Sequence, residues 1–170
     1  MKLQKITIFF SAYIVLSAIF MRQIWEIAEA ICGRQALNYA LFFLCIFLSL
    51  WLIYSANKIR LCYSNVFLDT LACLGITVFA LKQPFISERA HVIEFTLLGW
   101  LVAKDLEPKK KGFLAKLVFA AIYTGIIGCL AEGFQKFLPW RVYDTRDLIT
   151  NVLSGLIGIG IFNFNKKQLT

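Results

Sequence analysis

Residues 36–56 read ALNYALFFLCIFLSLWLIYSA, a run from Ala36 to Ala56 with no charged side chain. A helix of that length rises about 30 Å at 1.5 Å per residue, enough to cross the hydrocarbon core of a bilayer. A second uncharged run, Leu148 to Phe164, reads LITNVLSGLIGIGIFNF. A soluble domain of 170 residues has one core and no room to hide both. Composition points the same way: 59% of the residues are hydrophobic and 16% are charged, against about 25% charged in an ordinary soluble domain. The expected fold is all-α, a polytopic transmembrane helical bundle whose outer surface is solvated by lipid.

Working outward from these runs, apolar stretches of spanning length predict about six helices. They cover Ile6 to Met21, Leu37 to Ala56, Asn65 to Leu81, Phe85 to Ala103, Phe113 to Leu130 and Leu148 to Phe164. The fourth is the weakest span, because Glu88, Arg89, His91 and Glu94 occupy its first half. Lys2 and Lys5 precede the first stretch as they would in a signal peptide. The small-residue pattern Ala28-Glu29-Ala30 lies beyond Arg22 and Glu26, however, so the segment reads as a retained helix. Between the first two spans, Arg22 to Cys32 puts Ile24, Ile27, Ala28 and Ile31 on one face, with Gly33 as a cap. That piece either lies along the interface or extends the first helix.

The net charge of +8 belongs to short loops rather than to a basic face interleaved with aromatics, which excludes nucleic acid as a partner. With six alternating spans, eleven lysines and arginines share the side of both termini and seven lie opposite. Lys109, Lys110 and Lys111 anchor the first side, which the positive-inside rule makes cytoplasmic. Asp69, Asp105 and Glu107 fall on that side. The other seven carboxylates, Glu26, Glu29, Glu88, Glu94, Glu132, Asp144 and Asp147, gather at the outer ends of the helices. Of the cysteines at 32, 45, 62, 73 and 129, three lie inside apolar runs, and no disulfide framework or metal-binding Cys spacing is visible. Trp25, Trp51, Trp100 and Trp140 read as interfacial anchors or lipid-facing bulk.

Spacing then gathers the outer polar residues. His91 and Glu94 share one face of the fourth helix, Glu132 and Gln135 one face of the fifth, and Asp147 and Asn151 one face of the sixth. The alternating directions of the spans bring all three pairs to one depth, with Arg141 and Asp144 in the connection beside them. Polar groups at that depth need a partner, a cavity or a function. The last two helices also carry small faces, Ala120, Thr124 and Gly128 leading to Glu132, and Asn151, Gly155 and Gly158 leading from Asp147. Such faces let helix axes approach closely and are expected to pack the two helices together.

The run Glu132-Gly133-Phe134-Gln135-Lys136-Phe137-Leu138-Pro139-Trp140-Arg141, followed by Asp144, Asp147, Asn151, Gly155 and Gly158, resembles the VanZ-like family of small bacterial membrane proteins. So does the upstream stretch Glu88-Arg89-Ala90-His91-Val92-Ile93-Glu94-Phe95 leading into Leu97-Leu98-Gly99, although the Glu-Arg pair sits one residue closer to the histidine and Phe95 replaces a tyrosine. The resemblance covers the second half of the chain. It implies a VanZ-like membrane domain over 65–165, preceded in 1–64 by a pair of membrane helices of unknown role, in a multi-pass protein of the bacterial cytoplasmic membrane. The founding member is associated with resistance to the glycopeptide teicoplanin; that property is not carried over to this chain.

The residue chemistry and the resemblance together lead to an outward polar pocket acting on, or binding, an anionic or lipid-linked ligand of the cell envelope. His91, Glu132 and Asp147 are the candidates for acid and base chemistry, with Glu94 orienting the imidazole. Glu94, Gln135, Arg141, Asp144 and Asn151 are the candidate ligand-binding residues; Arg141 offers a planar fork of donors to an anion. No metal site and no cofactor are expected. A membrane assembly factor with a structural polar cluster, or a small-solute transporter, are the alternative readings. A transporter requires polarity through the midplane of the bundle, where the sequence shows little.

Overall fold

The computed structural model describes residues 3–57, 74–80, 86–106, 112–137 and 145–166. All regular structure among them is helical: α1 Lys5–Cys32, α2 Arg34–Asn57, α3 over 74–80, α4 Ile86–Leu106, α5 Phe113–Lys136 and α6 Thr145–Lys166. Of the expected third span, residues before 74 lie outside the described residues.

The first helix runs unbroken for 28 residues, so Arg22 to Cys32 extends it rather than lying across its end. It stops at Gly33, whose φ of 79° and N–H bond of 2.9 Å to the Glu29 carbonyl give the left-handed cap that a side chain would disfavour. Two local ion pairs flank this cap, Arg22 with Glu26 and Arg34 with Glu29, each at 2.7 Å and exposed. Pairs of this kind contribute about 1 kcal/mol or less, and they account for two of the seven outer carboxylates without a site.

The helix with the most charges is the centre of the bundle. Thr96 faces Gly158 and Trp100 packs edge-on against Phe162, so α4 and α6 run parallel. Thr124 meets Gly155 and Gly128 meets Asn151, so α5 and α6 run antiparallel. On α1, Ile14 joins Phe95, Leu98 and Ile127 in one apolar core, and Ile76 and Ala80 of α3 pack with Val92 and Ile161 in a second. Arg89 bonds Asn38 of α2. Every other helix therefore touches α4, which explains its weak apolar signal: a helix shielded by neighbours on most sides has no need to be apolar where they touch it.

The closest approach lies between α4 and α6. A methyl group on Gly99 would stand 2.0 Å from the Gly155 carbonyl oxygen, and one on Gly158 would stand 2.0 Å from the Thr96 carbonyl oxygen. Backbone meets backbone there, as in membrane helix pairs built on small residues. The sequence pattern assigned this small face of α6 to α5 alone. Gly155 does abut Thr124 of α5, but Gly158 serves the central helix, so the face is shared. Trp100, expected as an anchor, packs into the same seam with Phe162.

Large apolar side chains lie on the outside as well as in the core. Leu114, Val118, Ile122, Ile126, Leu130 and Phe134 form an exposed apolar stripe down the whole of α5, and Phe9, Leu16, Phe20, Ile24, Ile27 and Ile31 are exposed on α1. Thr7, Ser11, Thr96, Thr124 and Ser154 are buried instead. The hydroxyls of Thr96, Thr124 and Ser154 each bond the carbonyl four residues earlier at 2.7 Å, so they enter the interior already satisfied. Among the described residues, α1 and α5 are long and apolar enough to cross a membrane.

At the end of α4 remote from His91, Asp105 is not a loop residue as expected; it is buried in the last turn of the helix. Its Oδ2 accepts the Gln4 backbone N–H at 2.9 Å and the Thr7 hydroxyl at 2.7 Å. Gln4 provides no side-chain cap for α1, and the Asp105 carboxylate, placed at the positive end of that helix dipole, takes over the role. Lys116, within the fifth predicted helix, is a buried residue of α5.

The glycine seam yields a paired prediction. Gly158→Ala forces α4 and α6 apart and lowers stability by about 3 kcal/mol, the upper end of overpacking costs. Gly160→Ala, with nothing within 4 Å of the added carbon, changes stability by less than about 0.5 kcal/mol. Thermal unfolding of both variants in detergent decides.

Candidate functional site

Because α4 and α6 are parallel and α5 is opposed to both, the start of α4, the end of α5 and the start of α6 lie at one end of the bundle. His91, Glu94, Glu132, Gln135 and Asn151 are all buried there, with Glu132, Gln135 and Asn151 each only 1% exposed. Asp147 is half-buried in the first turn of α6. Arg141 and Asp144 lie outside the described residues.

The best-defined contact is within α4. His91 Nδ1 lies 3.1 Å from Glu94 Oε2, one helical turn apart, and the imidazole stands edge-on to Phe95 with ring centres 6.3 Å apart. Phe95 is fully buried in the central apolar core, so at that position the ring packs and a hydroxyl would have no access to the polar cluster's solvent side. With Glu94 ionised, Nδ1–H donates to the carboxylate and the second ring nitrogen, Nε2, faces away from it. His91 Nε2 is buried and has no hydrogen-bond partner.

Three further buried nitrogens share that condition, the Trp25 indole nitrogen on α1 and two in the cluster. The side-chain amide nitrogens of Gln135 and Asn151 are buried without partners. Leaving a buried amide unsatisfied costs about 1 to 3 kcal/mol, and three such groups at one end of a small bundle are a concentrated expense that packing alone does not require. The Asn151 side chain lies across Gly128, where an added methyl would be 3.4 Å from Nδ2. Gly128 is the space that admits it.

One contributor comes from an element to which the sequence assigned no role. The Tyr13 hydroxyl of α1 lies near enough to the Glu94 carboxylate to feel its charge. The first helix thus supplies a side chain to the His91–Glu94 pair. No signal in the sequence singled out Tyr13: an isolated tyrosine in an apolar helix resembles any interfacial aromatic. Its neighbour Phe10 stacks on it at 5.8 Å, and Ser11 shares a hydrogen bond of 2.9 Å with Tyr123 of α5.

Chemically, the cluster combines an imidazole oriented by a carboxylate, a second buried carboxyl group in Glu132, and two amide donors. It can hold oxygen acceptors and move a proton at Nε2. Among the described residues, no group of three or more His, Cys, Asp or Glu side chains is arranged to hold a metal ion. Fold and site together describe an all-helical bundle with two helices able to cross a membrane and a buried polar cluster at one end. Comparison with protein-family models, characterised proteins and solved structures finds no match.

If the unpartnered amides face a ligand rather than stabilise the fold, removing them costs no intramolecular bond. Gln135→Met and Asn151→Leu proteins then unfold at the wild-type temperature or above it, within about 0.5 kcal/mol or with a gain of about 1 kcal/mol. A loss of 2 kcal/mol or more, roughly the cost of breaking a buried hydrogen bond, would assign them to structure.

Proposed function

We propose that the chain is a multi-pass protein of the bacterial cytoplasmic membrane with about six spans and both termini inside. In this reading it is VanZ-like over residues 65–165, and its outward polar end binds an anionic or lipid-linked ligand of the cell envelope. One observation carries the proposal: His91, Gln135 and Asn151, on three different helices, keep buried nitrogens without partners at the same end of the bundle. The amide nitrogens of Gln135 and Asn151 are donors and match a ligand rich in acceptor oxygens, such as a phosphate ester, while Nε2 of an imidazole that donates from Nδ1 is free to accept a proton from the ligand. The motif residues that carry the VanZ-like resemblance include His91, Glu132, Gln135 and Asn151, all of them buried together, which supports treating them as one unit.

The multi-pass reading draws on the exposed apolar stripes of α1 and α5 and on the uncharged runs in α2 and α6. The charged central helix fits it as well, since its neighbours stand between it and lipid. Within the site, Gln135 and Asn151 hold ligand oxygens, and Arg141 and Asp144 are the further candidates for binding an anion. His91, oriented by Glu94, exchanges a proton at Nε2, and Glu132 and Asp147 provide the remaining carboxyl groups.

Sidedness is tested at Cys32, which is exposed at the end of α1 opposite the end that Asp105 holds, and so on the side of the bundle that carries the polar cluster. In a variant whose other cysteines are serine, a membrane-impermeant maleimide labels Cys32 on intact cells. Labelling only after lysis would place the cluster on the cytoplasmic side and refute the outward orientation.

Ligand class is tested by native mass spectrometry of the purified protein with phosphatidylglycerol and phosphatidylcholine. The wild type retains phosphatidylglycerol preferentially, and the Gln135→Met, Asn151→Leu double variant weakens retention at least about tenfold, the worth of one to two hydrogen bonds. Equal retention of the two lipids by the wild type sinks the reading.

A further inference from the structure

An apolar groove of about 170 Å³ opens on the side of the bundle between α1, α4 and α6. Phe10 forms one wall, Gly158 and Ile161 the other, and Leu97, Trp100 and Leu101 the floor. On α4, Leu101, Leu97 and Glu94 follow one another at helical spacing along one strip. On α1, Phe10 leads to Tyr13, whose hydroxyl lies near Glu94. The groove therefore runs along two helices towards the same carboxylate that orients His91. Its shape is that of an amphiphile: an apolar channel in the middle third of α4 that ends at a buried polar cluster.

We propose that this groove seats a hydrocarbon chain of the ligand, so that the polar cluster takes the headgroup of a membrane lipid rather than a water-soluble anion. This rests on the function proposed above and narrows its ligand class. Gly158 lines the groove beside the close α4–α6 contact, and Phe10 lines it from the first helix. A methylene occupies roughly the volume of a water molecule, about 30 Å³, so the groove takes about six carbons. That length matches the upper part of an acyl or isoprenoid chain whose head lies at Glu94, about 10 Å from Leu101 along the helix axis. Water-soluble phosphate would leave the channel without an occupant of its own polarity.

Trp100 in the floor is a built-in reporter. A variant with Trp25, Trp51 and Trp140 changed to phenylalanine is reconstituted into phosphatidylcholine vesicles containing small fractions of a lipid brominated in its chains. Brominated phosphatidylglycerol is expected to half-quench Trp100 at a mole fraction at least about fivefold lower than brominated phosphatidylcholine does, and unbrominated phosphatidylglycerol should compete. Leu97→Phe, which narrows the channel, removes that preference while native mass spectrometry still shows phosphatidylglycerol retained. Equal quenching by the two brominated lipids, with retention of phosphatidylglycerol intact, overturns the groove but leaves the headgroup site standing. Loss of both the quenching preference and the retention overturns the headgroup site and the groove together.

Discussion

The contact on which the rest of the molecule depends is backbone against backbone: Gly99 on Gly155 and Thr96 on Gly158. An interhelical approach this close cannot be made with any side chain in the way, and it sets the axis separation of α4 and α6 for their whole length. Once those two helices are held parallel at that spacing, α5 can reach both, with Thr124 filling the step beside Gly155 and Asn151 lying across Gly128. The polar residues at the start of α4 and α6 and at the end of α5 then arrive at one end without a loop having to position them. Rigid helices fix such a site more closely than loops do.

Placing the charged helix at the centre resolves an apparent conflict in the sequence. A segment with Glu88, Arg89, His91 and Glu94 at one end and Lys104 and Asp105 at the other is a poor membrane span taken alone. Surrounded by five other helices, it need not be a good one. Its polar groups are matched individually: Asp105 by the amide of Gln4 and the hydroxyl of Thr7, Glu94 by His91. In a low-dielectric interior such charge-assisted bonds are strong, and the unmatched groups are correspondingly costly. That asymmetry is why the bare nitrogens of His91, Gln135 and Asn151, gathered at one end, stand out against an interior whose hydroxyls are bonded.

How much of this was legible in the sequence follows the range of the interactions. The helices, the Gly33 cap and the inward turn of Ala120, Thr124, Gly128 and Glu132 are local in period and were readable, because 3.6-residue spacing encodes a face directly. The spacing of His91 with Glu94 was readable for the same reason. What was not readable involved pairs remote in sequence. Gly158 could pack on either of two helices, and only the crossing geometry assigns it to α4. Asp105 looks like any acid near a basic loop until Thr7, nearly a hundred residues away, is seen to bond it. Tyr13 carries no local mark of its approach to Glu94.

The role of α1 is where this distinction matters most for function. Read locally, the first helix is an apolar span attached ahead of a polar domain, and nothing in it suggests participation. In the folded chain it is bound at its start by Asp105 and in its second turn by the Ser11–Tyr123 bond, and two residues after Ser11 the Tyr13 hydroxyl comes near Glu94. The two ties fix its height and rotation against α4 and α5. A helix fixed in both has no freedom left to choose which residue faces Glu94, so the tyrosine is placed there by contacts remote from the cluster. The same placement sets Phe10 over the apolar groove. The polar cluster and the channel beneath it thus share a wall, and a disturbance at the Asp105 end of α1 must be felt at His91, because α1 is a single unkinked rod between them.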